Sequence, residues 1–272
     1  MRVLAPILGP VVTADLRVLI AGLALIAYFR LIRFDPEWRR FWKQYLFIGA
    51  VNSALPFFLF SFAALHIPAS YSVIMNSTSP LFAAIFSAVW LDERLTAKKI
   101  FGLLIGAGGV TLVAKIGVVE NDPMFGWALA ACILAAVCYG VAATYIKRSG
   151  GGMKPMGIAG GSQLMAGVLL LPAIPLAPIR GVVTPSVAAG VLVFALLCSA
   201  VAYLLYYRLI VEIGPTKALT VTFLMPAFGM LWGVLLLHET ITFSMLAGTG
   251  LILVGTTLVL NISLLGRSPK NS

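Results

Sequence analysis

Charge is the scarcest property of this chain of 272 residues: only 10% are Asp, Glu, Lys or Arg, and two are histidine. The nine acidic residues are too scattered to converge with histidine into a hydrolytic or lipid-modifying centre, so the chain reads as no enzyme. No grouping has metal-ligand spacing, and neither a metal nor an organic cofactor is expected. Cysteine is also sparse. Cys132, Cys138 and Cys198 lie singly in apolar runs, where cysteine serves as a small packing residue. The start, MRVLAPILGP, offers one basic residue and no small-residue cleavage signal, so no removable leader is expected. Any polar stretch long enough for a soluble domain is missing too.

What is present is hydrocarbon. The chain is 61% hydrophobic with a mean hydropathy of +1.03, more apolar surface than a soluble fold can cover, which makes lipid its solvent. A bilayer core about 30 Å thick is crossed by roughly 20 helical residues. Runs of that length with almost no charge fall near 8–31, 44–65, 69–91, 100–119, 125–146, 157–176, 186–207, 215–237 and 244–264. Their apolarity is continuous and does not alternate as outer-membrane strands do. The reading is an all-α polytopic membrane protein, a helical bundle of nine transmembrane helices.

The net charge of +10 does not point to nucleic acid, because the basic residues lie between the spans. Linkers after the first, third, fifth and seventh spans, with the C-terminal tail, hold Arg30, Arg33, Arg39, Arg40, Lys43, Arg94, Lys98, Lys99, Lys147, Arg148, Lys154, Arg208, Lys217, Arg267 and Lys270. The other side holds only Arg2, Lys115 and Arg180. Cytoplasmic loops retain Lys and Arg, which places the C-terminus inside and Met1 outside.

One turn occurs twice, as LDERLTA at Leu91 and LHETITF at Leu237. Sliding the chain against itself until Pro80 meets Pro226 also aligns Glu93 with Glu239, Thr96 with Thr242, Gly102 with Gly248 and Gly109 with Gly255. Upstream, at nearly the same offset, IAG at Ile20 falls beside MAG at Met165. The charge bias puts the two turns on opposite faces, so the copies are expected upside down to one another, the arrangement that underlies alternating access. A first unit of four helices, 1–119, and a second of five, 120–272, follow. Inversion needs an odd number per unit, so the partner of the 125–146 span is expected upstream of Met1, the first helix being missing from this chain.

These residues carry a family resemblance. LRVLIAGLALI, then IPASYSVIMNSTSPLFAAIFSAVWLDERLT before a glycine-rich helix, then GPTKALTVTFLMPAFGMLWGVLLLHETIT, resemble the EamA family of the drug/metabolite transporter superfamily over nearly the whole chain. The resemblance implies a ten-helix inverted-repeat bundle in the bacterial inner membrane, a secondary transporter that exports small metabolites such as amino acids or amphipathic compounds. The competing reading is a non-transporting or vestigial membrane subunit. Expected partners are a small-molecule substrate and the lipid bilayer, with a homodimer left open.

Polar groups at bilayer depth must find protein partners or line a wet cavity. Asn76 and Thr78, in MNSTSP, are candidates on that ground, although Ser and Thr also bond back to the preceding turn. Asn52, Gln163 and Thr222 join them, against the plainer reading of interhelical bonding. Tyr139 and Tyr203 lie deeper than tyrosines of the interfacial belt and complete the expected substrate-binding set. Pro80 and Pro226 each remove a backbone hydrogen bond within a span and read as kinks with a gating role. Asp15 and Arg17 are charges inside a span, two residues apart and so facing different ways, with Asp15 a proton-carrier candidate. The resemblance aligns Arg17 with an arginine of the family's second helix, which implies a structural or substrate-carboxylate role. Glu93 and Glu239 are expected to cap the helices that follow them.

Overall fold

The computed structural model describes residues 1–116, 123–149, 152–213 and 221–260. Lys217, Thr220, Arg267 and Lys270 lie outside the described residues, and so does the side chain of Thr222. Within them every regular element is helical, as continuous apolar runs demand where backbone groups have no water to bond. Eight helical stretches are long and apolar enough to cross a membrane, and a shorter apolar helix occupies the described part of the remaining expected span.

A short helix, α1 (Ala5–Leu8), ends at Gly9, whose φ of 79° turns the chain into α2 (Pro10–Leu31). The second span comprises α3 (Trp38–Gly49), a π turn at Ala50–Ala54 and α4 (Leu55–His66). The third is α5 (Ala69–Asn76) and α6 (Ser79–Trp90), followed by α7 (Ala97–Ile116) and α8 (Phe125–Ser149). Next come α9 (Pro155–Leu170), running into a 3-10 turn at Leu171–Leu176, then α10 (Pro185–Ala195), a second π turn at Leu196–Val201 and α11 (Ala202–Ile213). The described chain closes with α12 (Val221–Leu237) and α13 (Phe243–Leu260).

Starts follow local chemistry. Pro10, Pro155 and Pro185 take first-turn positions, where a missing N–H costs nothing. Thr96, Thr184 and Thr242 accept from the amides of Lys99, Val187 and Met245 and cap their helices. The capping expected of Glu93 and Glu239 thus belongs to threonines, and both carboxylates are free for other contacts.

Glycine sets how closely the helices approach. On α7 and α13 a Cβ at Gly109 would come within 2.6 Å of the Gly248 carbonyl oxygen and one at Gly248 within 2.8 Å of that of Gly109, while Gly102 faces Gly255 in the same way. The pairing is antiparallel and reciprocal. A second antiparallel pair behaves alike: Gly22 of α2 leaves room for the backbone of Leu164, and Gly167 of α9 for Leu19. Such approach of backbones supplies the van der Waals contact that holds helices together in lipid. The largest buried cluster, with Ile67, Tyr71, Ile74, Met75, Val113, Cys132 and Ile252, lies where α4, α5, α7, α8 and α13 meet. Outward faces carry Val89, Leu104, Trp127, Leu205 and Leu236, all largely exposed, as suits contact with lipid.

Candidate functional site

The two π turns each contribute polar groups to a cluster around Arg17. Each inserts one extra residue per turn, so that the Leu55 amide reaches Ala50 and the Ala202 amide reaches Leu197. Pro56, which lacks an N–H, favours the first; Ala202 stands at the matching place in the second, so proline is not their shared cause.

Arg17 reaches across to the second π turn. Its Nε donates to Ser199 Oγ at 2.8 Å and an Nη to the Cys198 carbonyl at 3.3 Å. The guanidinium lies between two rings, 3.9 Å from the centroid of Phe57 and 4.5 Å from that of Phe194. Tyr139 and Tyr203 are near enough to interact with its charge. Among the described residues no acidic side chain pairs with it. A guanidinium presents five N–H donors in a planar fork suited to carboxylate or phosphate, and only part of that capacity is engaged. Flanked by two rings, it keeps N–H groups that no described side chain engages.

Asn52, in the first π turn, donates to the Tyr203 hydroxyl at 3.5 Å, with Ser53 beside the same hydroxyl. Tyr139 stacks on Phe60 at 6.2 Å. Asn52, Tyr139, Tyr203 and Arg17 are therefore brought together. Gln163 is not part of this group: it is fully buried on α9, against α2 at Gly22, with neither amide atom hydrogen-bonded.

Asn76 and Thr78 lie elsewhere, at the break between α5 and α6. The break has a local cause. Pro80 cannot donate to the Asn76 carbonyl four residues back, and Ser79 Oγ donates to it instead at 2.6 Å. Ser77 and Thr78 hydroxyls donate to Ile74 and Met75 carbonyls, the back-bonding open to such residues, and Asn76 Oδ1 accepts from Ser79. Pro80 therefore starts a helix, whereas Pro226 is buried within the continuous α12.

Asp15 is fully buried in α2 with neither carboxyl oxygen hydrogen-bonded. The helices α4, α9 and α10 and both π turns, which pack on α2, carry no Lys or Arg. An isolated buried carboxyl is expensive, and its retention calls for a reason.

Ser199, Phe57 and Phe194 were not singled out from sequence. A signal for Ser199 exists: extending the self-alignment a few residues upstream lays Ser53 on Ser199. No cluster of three or more potential metal ligands occurs among the described residues.

The EamA-like transporter family matches residues 1–115 and 126–261. An uncharacterized transporter, YvbV, of Bacillus subtilis (strain 168) is 26% identical over 92% of this chain and 82% of its own length. Protein PecM of Dickeya dadantii (strain 3937) is 26% identical over 96% of this chain and 86% of its own. A protein of Streptantibioticus cattleyicolor named as a probable terminal-alkyne amino-acid exporter is 25% identical over 82% and 74%. A solved crystal structure superposes with a TM-score of 0.65 at 18% identity, covering 92% of this chain and 87% of that one, a likeness of fold alone.

Proposed function

Because this chain belongs to the EamA-like transporter family, we propose that it is a secondary transporter of the bacterial inner membrane, exporting small carboxylate-bearing metabolites with an apolar part, amino acids among them, by alternating access. The observation that carries the substrate chemistry is Arg17, a cation held between Phe57 and Phe194 with no acidic partner among the described residues. An anionic group arriving at its unengaged N–H groups supplies the missing counter-charge, and the flanking rings accept the apolar part. Tyr139, Tyr203 and Asn52 add hydroxyl and amide groups for orientation. The name of the Streptantibioticus relative is in keeping with this substrate class.

Alternating access draws support from two reciprocal helix pairs, α7 with α13 and α2 with α9, each joining matching positions of the two halves in antiparallel sense. The basic linkers argue for a cytoplasmic C-terminus. Asp15 is the candidate coupling site, a fully buried carboxyl on the helix that also carries Arg17.

The test is flux in proteoliposomes. Labelled phenylalanine is expected to move and phenylethylamine, which lacks the carboxylate, is not. Arg17→Ala should cut phenylalanine flux by at least about tenfold, the loss of one charge-assisted bidentate contact, and Arg17→Lys should restore part of it. Asp15→Asn should make the flux indifferent to an imposed pH gradient. Equal movement of acid and amine, or no movement of any amino acid tried, would sink the substrate assignment.

A further inference from the structure

The twin glutamates of the repeated turn are used in different ways. Backbone geometry at the two turns is the same: the residues before them, Asp92 and His238, both hold left-handed φ near 53° and 54°, and Glu93 and Glu239 amides both reach back six residues, to the Ser87 and Gly233 carbonyls. The side chains then part. Glu239 crosses to the start of α5, 170 residues away in sequence, where Oε1 accepts from the Ala69 amide at 2.6 Å and Oε2 from the Ser70 amide at 3.0 Å and the Ser70 hydroxyl at 2.7 Å. Pro68, at the cap position of α5, has no side chain able to do this, so the cap comes from the opposite half of the molecule. Glu93 instead meets Lys147 at 2.5 Å and Lys99 at 3.4 Å.

One difference at matching positions accompanies the divergence. A Cβ at Gly233 would stand 2.7 Å from Glu239 Oε2, so the carboxylate rests where a side chain would otherwise be. At the matching place in the first half stands Ser87, which has a Cβ. Below this contact α12 lies on α5, Gly229 against Val73. The bonds from Glu239 are thus the terminal fastening of a seam between α5 of one half and the α12–α13 hairpin of the other.

We infer that Glu239 is a gating residue: its contact with the first turn of α5 is a releasable latch that closes this end of the pathway in the state seen here, and transport requires it to open. The inference rests on the alternating-access reading above. A carboxylate bound to backbone amides and a hydroxyl suits the part, because each bond it gives up on opening is replaced by water at the mouth, and the positive end of α5 favours its return.

The experiment places one reporter thiol at the seam, Val73→Cys, in a chain whose three cysteines are replaced by alanine, and follows its labelling by a membrane-impermeant maleimide in sealed proteoliposomes. With Glu239 intact, labelling should be slow. Glu239→Ala should speed it about tenfold, and Gly233→Ala, which removes no bonding group and only crowds the carboxylate, should speed it in the same direction. Glu93→Gln should leave it unchanged. Size-exclusion profiles confirm that each variant is folded. Labelling unaltered in both folded seam variants, or raised equally by Glu93→Gln, overturns the latch. A chain that shows latch-dependent labelling but no flux of any solute supports the latch and defeats the transporter reading, so the two failures are told apart.

Discussion

The two halves of this molecule share backbone devices and differ in what they hang on them. Both carry a π turn near the middle of a span, both place a left-handed residue before a turn glutamate, and both present glycines to the matching helix of the other half. Yet Phe57 of the first half corresponds to Tyr203 of the second, Asn52 to Cys198, and Ser87 to Gly233. Shared features govern how helices meet and turn. The unshared ones cluster at the Arg17 site and at the Glu239 seam. The two family-matched segments, 1–115 and 126–261, thus carry the same backbone devices with different side chains at matching positions.

The largest effects are expected at the glycines. Gly109→Ala and Gly255→Ala, at matching positions, should cost similar amounts, about 1–3 kcal/mol or more, because the nearest atom met in each case is a backbone carbonyl oxygen that cannot move aside. Gly108→Ala and Gly250→Ala, whose added carbons meet nothing, should be neutral or slightly stabilising. Denaturation in detergent, followed by circular dichroism, measures both, and unequal losses at Gly109 and Gly255 would count against equivalent halves.

Next in size is Tyr203→Phe, which makes the second half chemically like the first at this position. Losing the hydroxyl beside Asn52 should weaken phenylalanine binding roughly threefold to tenfold, about 0.5–1.5 kcal/mol, while leaving the fold intact. Isothermal titration reads the change, and an unaltered affinity would remove Tyr203 from the site.

Smaller still is the strain at the turns. Asp92→Gly and His238→Gly should each raise the unfolding midpoint, by an amount equivalent to no more than about 1 kcal/mol, since glycine adopts positive φ freely.

The smallest effect is the acid response of Glu93. Its hydrogen bond to Lys147, with Lys99 nearby, holds its carboxyl below the ordinary carboxylate range, against the opposing effect of burial. A carboxyl lowered in the folded state contributes stability above the unfolded value and loses it as pH falls through the folded one. Thermal midpoints taken from about pH 6 down to about pH 3 should therefore fall less steeply for Glu93→Gln.

The spans were legible because some 20 apolar residues in succession have one stable form in lipid, and the family because its hairpins hold Pro, Glu and Thr in order. The π turns were not. AVNSA and LLCSAV have the composition of any apolar helix, and a shift of one bond in the ladder leaves no trace in residue type. Asn52, Tyr139, Tyr203 and Arg17 converge as depth and polarity suggest, while Asn76 and Thr78 went to a helix break that Pro80 dictates and Ser79 completes. The partner of Glu239 was hidden for a different reason. A carboxylate near a helix start implies a local cap, but local space at Gly233 let it reach a helix far away in the chain.

Cys198 lends its carbonyl to Arg17, and its own thiol is free and exposed, the only such thiol among the described cysteines. The molecule thereby comes with a built-in handle one peptide unit from its central cation. A small alkylating dye attached there needs no engineered residue, and its emission would track the arrival and departure of whatever neutralises the guanidinium.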